Sequence, residues 1–332
     1  MNANSIVNSW AEVWTLFEQR CAAKRIKEST MNKYRLITCR FVRWADDEGI
    51  APVDLQPLDV IRYTGNLKRE DGKPYKQNTL RTHCRYLKTL LNFAADFKVI
   101  PERIKIEMPQ APEDEIKALN DEELESVLGY FDNQADKNPR DAAIVYLLKD
   151  SGIRASELLG LSWEDLEWDE ERHLGTVNVT KQLLENRELG PTKNGKSRKA
   201  YFNSGTWKHL KALRRSYGVG PPIAIMSRHE IWKLGLIEPT CPVFLGHEGD
   251  HTPLGTSGLG YMLTCAGEEL GIPLHPHKFR HTAGRLMTIA GMPPVAMMQI
   301  LGHSSLAMVT RYSLLWGEDV EDLFVDKMNG NH

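Results

Sequence analysis

Hydrophobic positions in the first hundred residues recur at helical intervals. Val7, Trp10, Trp14, Leu16 and Phe17 predict a helix over residues 5–25, because apolar side chains three and four residues apart share one face. Tyr34, Ile37, Phe41 and Trp44 predict a second over 29–47, and a third follows Leu58 within 59–68. The fourth, over 76–97, is the most regular: Leu80, Cys84, Leu87, Leu91 and Ala94 advance by four, three, four and three. Glu70-Asp71-Gly72-Lys73-Pro74 reads as the turn before it. Lys76 opens this fourth helix, and Arg81, Arg85 and Lys88 lie beside its apolar stripe, where cations can follow a phosphate backbone. A plain solvated face is the bland alternative.

Pro101, Pro109, Pro112 and the acidic run 113–115 interrupt this pattern. They predict a linker over 107–117 between a domain at 1–106 and a second at 118–332. Asn120 followed by Glu123 marks a helix start by the capping-box rule. A helix over 139–151 carries Ala143, Val145, Tyr146 and Leu147 as core and ends at Gly152. Arg154 then falls in the turn before a short helix through Leu158. Strand-like alternation is confined to 172–203, where Thr176-Val177-Asn178-Val179-Thr180 is one strand and Arg198-Lys199-Ala200-Tyr201-Phe202 another. The turn Lys193-Asn194-Gly195-Lys196 would place Lys193 at a hairpin tip. Helix returns from 204, and residues 218–249, with four prolines, predict neither element nor function. Helices resume over 257–270, 280–290, 294–301 and 307–314. Trp316, Val320, Leu323, Phe324 and Met328 predict a last one at about 317–328. The fold class is mainly α with a small antiparallel β-sheet.

Composition narrows the setting. A 41% hydrophobic, 26% charged chain is ordinary for a globular protein. No apolar run approaches a membrane span, and no basic-then-apolar leader is evident. The five scattered cysteines contain no Cys-x-x-Cys and fit reduced thiols. Together these place the protein in the cytoplasm, near the nucleoid if it binds DNA, with no membrane partner. A net charge of −2 argues against nucleic acid until the chain is divided. Residues 1–110 hold 19 Lys and Arg against 13 Asp and Glu, whereas 111–332 hold 23 against 31. The basic first part is the better electrostatic grip. The acidic remainder must gather its positive charge locally, unless the asymmetry only reflects two solvated surfaces.

That local charge lies with the candidate chemistry. His277-Lys278-Phe279-Arg280, Leu301-Gly302-His303 and Tyr312 fall within 36 positions. A guanidinium can grip two phosphate oxygens, imidazoles donate or move protons near neutral pH, and a phenol can carry a covalent intermediate. Upstream stand Gly152-Ile153-Arg154-Ala155-Ser156-Glu157-Leu158 and Thr192-Lys193-Asn194-Gly195-Lys196-Ser197-Arg198. No metal-ligand spacing accompanies the set, although His275, His277 and His281 permit a weaker metal reading. No cofactor is expected.

In order and local context, these motifs resemble the tyrosine recombinase (phage integrase) family. The resemblance runs strongly from about 141 to 312 and weakly through the first 110 residues. It implies a helical, SAM-like core-binding domain followed by an α+β catalytic domain, without an additional arm-binding domain. It implies a catalytic set of Arg154, Lys193, His277, Arg280, His303 and Tyr312. Arg154 and Arg280 would clamp the phosphate, and Tyr312 would form a 3′-phosphotyrosyl link, releasing a 5′-hydroxyl. Lys193 would be the general acid, with Lys196 its competitor. His277 would take the tyrosine proton or bond the phosphate, and His303 would donate to a non-bridging oxygen. Glu157 is a candidate to orient the clamp, while His281 supports the fold and His275 lies outside the pattern. Lys76, Arg81, Arg85, Lys88, Lys196 and Arg198 are candidate DNA contacts. The partners implied are double-stranded recombination sites and further copies of the chain: a homo-tetramer on synapsed DNA, a monomer or weak oligomer without it. The last helix would dock on a neighbouring protomer. The rival readings are a type IB topoisomerase, a DNA-binding protein that has lost catalysis, and a purely structural helical protein.

Overall fold

The computed structural model describes residues 7–69, 71–110, 118–185, 187–217, 223–224, 239–246 and 252–309. The chain divides into two compact units, Met1–Glu115 and Ile116–His332.

The first unit is helical. Helix α1 (Trp10–Ala23) begins later than apolar spacing alone implies. The reason is local: the Ser9 hydroxyl accepts from the Glu12 N–H, and the Glu12 carboxylate accepts from the Ser9 N–H, which satisfies donors that a helix start leaves open. Helices α2 (Glu28–Asp47), α3 (Pro57–Gly65) and α4 (Gln77–Asp96) follow. Pro57 starts α3 two residues earlier than expected, since its missing N–H costs nothing at the first helical position. Beyond α3, Lys68 pairs with Pro74 across the turn. Trp10, Phe17, Phe41, Tyr63, Leu87 and Leu91 form one buried core. On α4, Arg81, Arg85 and Lys88 are exposed, as is Lys76 just before it. Arg81 also donates to the Pro109 carbonyl at 2.9 Å, which ties the segment after α4 back onto the helix.

The second unit is built around one buried helix. Helix α5 (Asp121–Gln134) starts at Asn120 with the expected capping box, and α6 (Pro139–Ser151) ends at Gly152 with φ +58°. Ala142, Ala143, Ile144, Val145, Leu147 and Leu148 are all fully buried, so α6 is apolar nearly all round, as a central helix must be. Tyr146, expected in that core, sits at its edge and donates its hydroxyl to Asp132 at 2.7 Å. Then come α7 (Ala155–Leu159) and five strands: β1 (Leu166–Asp169), β2 (Leu174–Val179), β3 (Lys181–Leu183), β4 (Leu189–Pro191) and β5 (Arg198–Phe202). They form an antiparallel sheet ordered β1-β2-β5 and a separate β3-β4 pair. Strands β4 and β5 therefore pair with different neighbours, and the Lys193 turn links two small sheets rather than capping a hairpin. Helix α8 (Ser204–Tyr217) packs on α6, and the short strands β6 (Ile223–Ala224) and β7 (Pro239–Thr240) pair with each other. Helices α9 (Thr256–Leu270), α10 (Pro276–Ile289), α11 (Pro294–Leu301) and α12 (Leu306–Val309) complete the described chain. Among the described residues no helix is long and apolar enough to cross a membrane. Tyr312 and the helix expected at 317–328 lie outside the described residues.

Candidate active site

The end of α11 organises the site. Its last turn closes through Gly302, at φ +65°, and the His303 N–H donates to the Met298 carbonyl at 3.0 Å. A helix end leaves carbonyls without intrahelical donors. Here three successive carbonyls each receive a guanidinium. Arg198 Nε donates to Ile300 O at 2.8 Å, Arg280 Nη2 to Leu301 O at 2.5 Å, and Arg154 Nη2 to Gly302 O at 3.1 Å. The negative end of the helix dipole favours cations at this place.

Each arginine arrives on a different element. Gly152 lets the chain leave α6 with a positive φ; a β-carbon there would come within 2.5 Å of the Leu301 side chain. Two residues later Arg154 caps α7, its own N–H donating to Glu157 at 2.8 Å. Arg280 lies on α10, only 2% exposed, with a second bond to the Gly152 carbonyl at 2.7 Å. Helix α10 starts a turn earlier than expected: Pro276 takes the first helical position and the His275 ring nitrogen Nδ1 accepts from the Lys278 N–H. His277 and Arg280 thus share one rigid element, and His275 has an N-cap role. His281 stands edge-on to His277, with ring centroids 4.6 Å apart. Among the described residues no group of three or more His, Cys, Asp or Glu side chains is arranged to hold a metal.

Behind Arg154 lies Glu157, fully buried. Arg198 meets its carboxylate with a two-pronged contact at 2.8 and 2.6 Å, and Arg154 Nη1 adds a third bond at 3.0 Å. Burial by itself would raise the Glu157 pKa, but the Arg198 hydrogen bonds and charge, with those of Arg154, hold it below the usual carboxylate range. Arg198, a candidate DNA contact, is turned inward here. Its Nε, Nη1 and Nη2 all donate inside the protein and its side chain is 10% exposed.

The imidazoles respond to this charge. His303 is pushed down to about 4, first by desolvation and then by the charges of Arg280, Arg154 and Arg198. His277 is lowered too, first by desolvation, then by Arg280 and His275, with Arg154 and Lys193 adding to it. Both are therefore neutral near pH 7 before any anion binds. Arg154, Lys196, Arg198, Tyr201, Met298 and His303 line one cleft of about 790 Å³. Lys193 and Lys196 are both exposed in the turn between β4 and β5, which the buried Thr192 anchors by donating its hydroxyl to the Lys196 carbonyl at 2.8 Å. The structure thus gathers Arg154, Glu157, Arg198, Arg280 and His303 at one helix end, with His277 one turn before Arg280. The missed feature is the arginine capping of α11; its only trace in the sequence is Gly302, the helix-stop residue before His303.

The chain is similar to known proteins along most of its length. Residues 117–315 match the model of the phage integrase family. The tyrosine recombinase XerC of Leptospira interrogans is 24% identical over 310 residues, covering 91% of this chain and 88% of its own. The XerA recombinase of Saccharolobus solfataricus is 25% identical over 280 residues, 82% of this chain and 79% of its own. Among solved structures, a Tn1549 transposon integrase in complex with a circular intermediate DNA superposes with a TM-score of 0.70 at 21% identity, over 96% of this chain and 98% of that one. The XerH site-specific recombinase in a post-cleavage complex gives 0.68 at 15% identity, over 94% and 83%. A match to the family model over more than half of the chain means that the protein belongs to the phage integrase family, the tyrosine-type site-specific recombinases that break and rejoin DNA.

Proposed function

We propose that the cleft cuts one DNA strand by transesterification, with Tyr312 as nucleophile. The phenolic oxygen bonds to phosphorus, the bond from phosphorus to the 5′-oxygen breaks, and a 3′-phosphotyrosyl link and a 5′-hydroxyl result. His277, neutral near pH 7, accepts the tyrosine proton, and Lys193 protonates the departing oxygen. Rejoining reverses these steps, and the covalent link conserves the energy of the broken phosphodiester. The observation that carries this reading is the set of guanidiniums fixed on the end of α11. Carbonyls orient Arg280 without neutralising it, and Glu157 offsets only one of the other two guanidiniums, so positive charge remains in excess there. Donors fixed before the substrate arrives need no reorganisation as charge develops on phosphate oxygens. His303 donates an N–H to a non-bridging oxygen, and Glu157 holds Arg154 from behind.

The basic face of α4, with Lys76, Arg81, Arg85 and Lys88, follows the DNA backbone, and Lys196 adds a contact at the cleft. The functional division is 1–106, a linker at 107–117, and 118–332. Four copies assemble on two synapsed sites in the cytoplasm, each passing its helix at about 317–328 to a neighbour. Relatives solved on DNA, among them a λ integrase dimer on a core site, support the DNA partner.

Nicked duplexes tiled from the DNA flanking the gene test the central step. A denaturant-resistant protein–DNA adduct forms with the unaltered protein and not with Tyr312→Phe. An adduct that survives the substitution moves the nucleophile elsewhere. On the same duplex, Lys193→Ala and Lys196→Ala are compared on an ordinary and a bridging 5′-thio leaving group. Sulfur leaves without a proton, so only the variant that lost the general acid regains its rate.

A further inference from the structure

We infer that Arg198 is a positioning residue that ties the Lys193 turn to the end of α11, keeping the general acid and the phosphate-binding His303 in register. The inference rests on the roles proposed above. From the start of β5, three donor atoms of this one side chain reach the end of α11 and the buried Glu157 of α7. Nε holds Ile300 O at 2.8 Å, while Nη1 and Nη2 hold both oxygens of Glu157. Arg198 is also the first residue of β5, directly after the turn that contains Lys193 and Lys196. At the other end, a β-carbon on Gly302 would lie 2.8 Å from both Arg198 Cδ and Nε. The guanidinium therefore rests against the backbone of the residue that precedes His303. Any shift of the β5 start relative to α11 must break the Ile300 bond or expose the buried Glu157 carboxylate. Lysine cannot replace this tie, because one ammonium cannot present a planar fork and a separate Nε donor.

Two variants test the tie. Arg198→Lys keeps the charge and loses the fork. Arg198→Met combined with Glu157→Gln removes both charges, so no buried carboxylate is left facing an apolar side chain. On the nicked duplex, Arg198→Lys lowers adduct formation at saturating DNA by about 100-fold, with DNA affinity and its salt dependence unchanged. The 5′-thio leaving group restores part of that loss, because a misplaced Lys193 is then bypassed. A loss of affinity with a salt slope smaller by about one would make Arg198 a phosphate contact instead. An unchanged cleavage rate, or a loss that the thio substrate leaves intact, would overturn the inference. Amide hydrogen exchange decides the matter without DNA. The Gly195 N–H, bonded to Thr192 O, and the His303 N–H, bonded to Met298 O, sit on the two tied parts. In both variants their exchange accelerates together by about 10-fold, while α5 is unchanged. Acceleration at one end alone, or at neither, refutes the tie. Absence of any adduct with the unaltered protein would count against the Tyr312 reading only, since the exchange measurement stands by itself.

Discussion

Positive charge appears in two forms in this protein. On α4, Arg85 and Lys88 are exposed to solvent. At the end of α11, Arg280 is 2% exposed and held by two backbone carbonyls, while Arg154 and Arg198 share one buried carboxylate. An exposed cation attracts a phosphate from a distance and is screened by salt. A desolvated guanidinium aimed by carbonyls has met its ordering cost during folding, so it can act on charge that appears only as a bond breaks. The first arrangement serves affinity and the second serves rate. Substitutions in the two regions should therefore fail in different assays.

The sharpest break comes from Arg280→Ala. Adduct formation should fall by about 1000-fold, the scale seen when a fixed oxyanion donor is removed. The protein should also lose stability, because the Gly152 and Leu301 carbonyls lose their partner; each buried group left unsatisfied costs about 1–3 kcal/mol. Rates on the nicked duplex and urea melts measure both. If Arg280→Ala weakened DNA binding alone, in a salt-dependent way, the contrast with α4 would collapse.

Glycine substitutions sharpen the comparison within one unit. Gly302 and Gly195 have nearly equal φ, +65° and +68°. Alanine at Gly195 meets nothing within 4 Å, whereas at Gly302 it meets Arg198 atoms at 2.8–2.9 Å. Gly195→Ala should cost only the left-handed backbone term, about 1–2 kcal/mol. Gly302→Ala should cost more in the same urea melts and slow cleavage as well, because Arg198 must move.

Acid exposes the same charge cluster. The His303 pKa is lowered from its ordinary 6.5 to about 4 in the folded protein, and that of His277 is also lowered. The unfolded chain therefore binds more protons in that interval, and stability falls as pH drops from about 6.5 towards 4. His303→Asn should flatten part of that dependence. A bound phosphate analogue should raise the His303 pKa, since its negative charge opposes the arginines; an NMR titration of the imidazole reads this directly. No upward shift would mean that the anion sits elsewhere.

Much of this was legible in the sequence because it is local. The α4 stripe, the Asn120–Glu123 cap and the stop at Gly152 depend on neighbours a few residues apart. Three helix starts differ from the apolar spacing although their signals are also local: the Ser9–Glu12 box for α1, Pro57 for α3 and Pro276 for α10. The residue types of the site could be read in chain order. The use of Arg198 could not, because its partners Glu157 and Ile300 lie 41 and 102 positions away. A basic residue in a basic turn looks like a DNA contact until the fold supplies a buried carboxylate for it. The Lys193 turn reads as a hairpin tip for a related reason, since strand pairing is decided by β2 and β3, outside the segment itself.

The smallest effect on the folded protein, and the cleanest test of the other form of charge, belongs to α4. Arg85→Ala and Lys88→Ala remove exposed side chains from a helix whose core face is Cys84, Leu87 and Leu91. Stability should stay within about 0.5 kcal/mol of the unaltered protein, as for surface positions generally. DNA affinity should fall, and the slope of log affinity against log salt should shrink by about one for each cation that touches a phosphate. The rate of adduct formation at saturating DNA should not change, because neither residue lies on the elements that carry the cleft. A rate loss at saturation would mean that α4 orders the reacting phosphate as well as gripping the duplex. A melt and a salt titration on the same two variants would then show whether the molecule separates grip from chemistry, or whether the basic face is only a solvated surface whose loss changes neither.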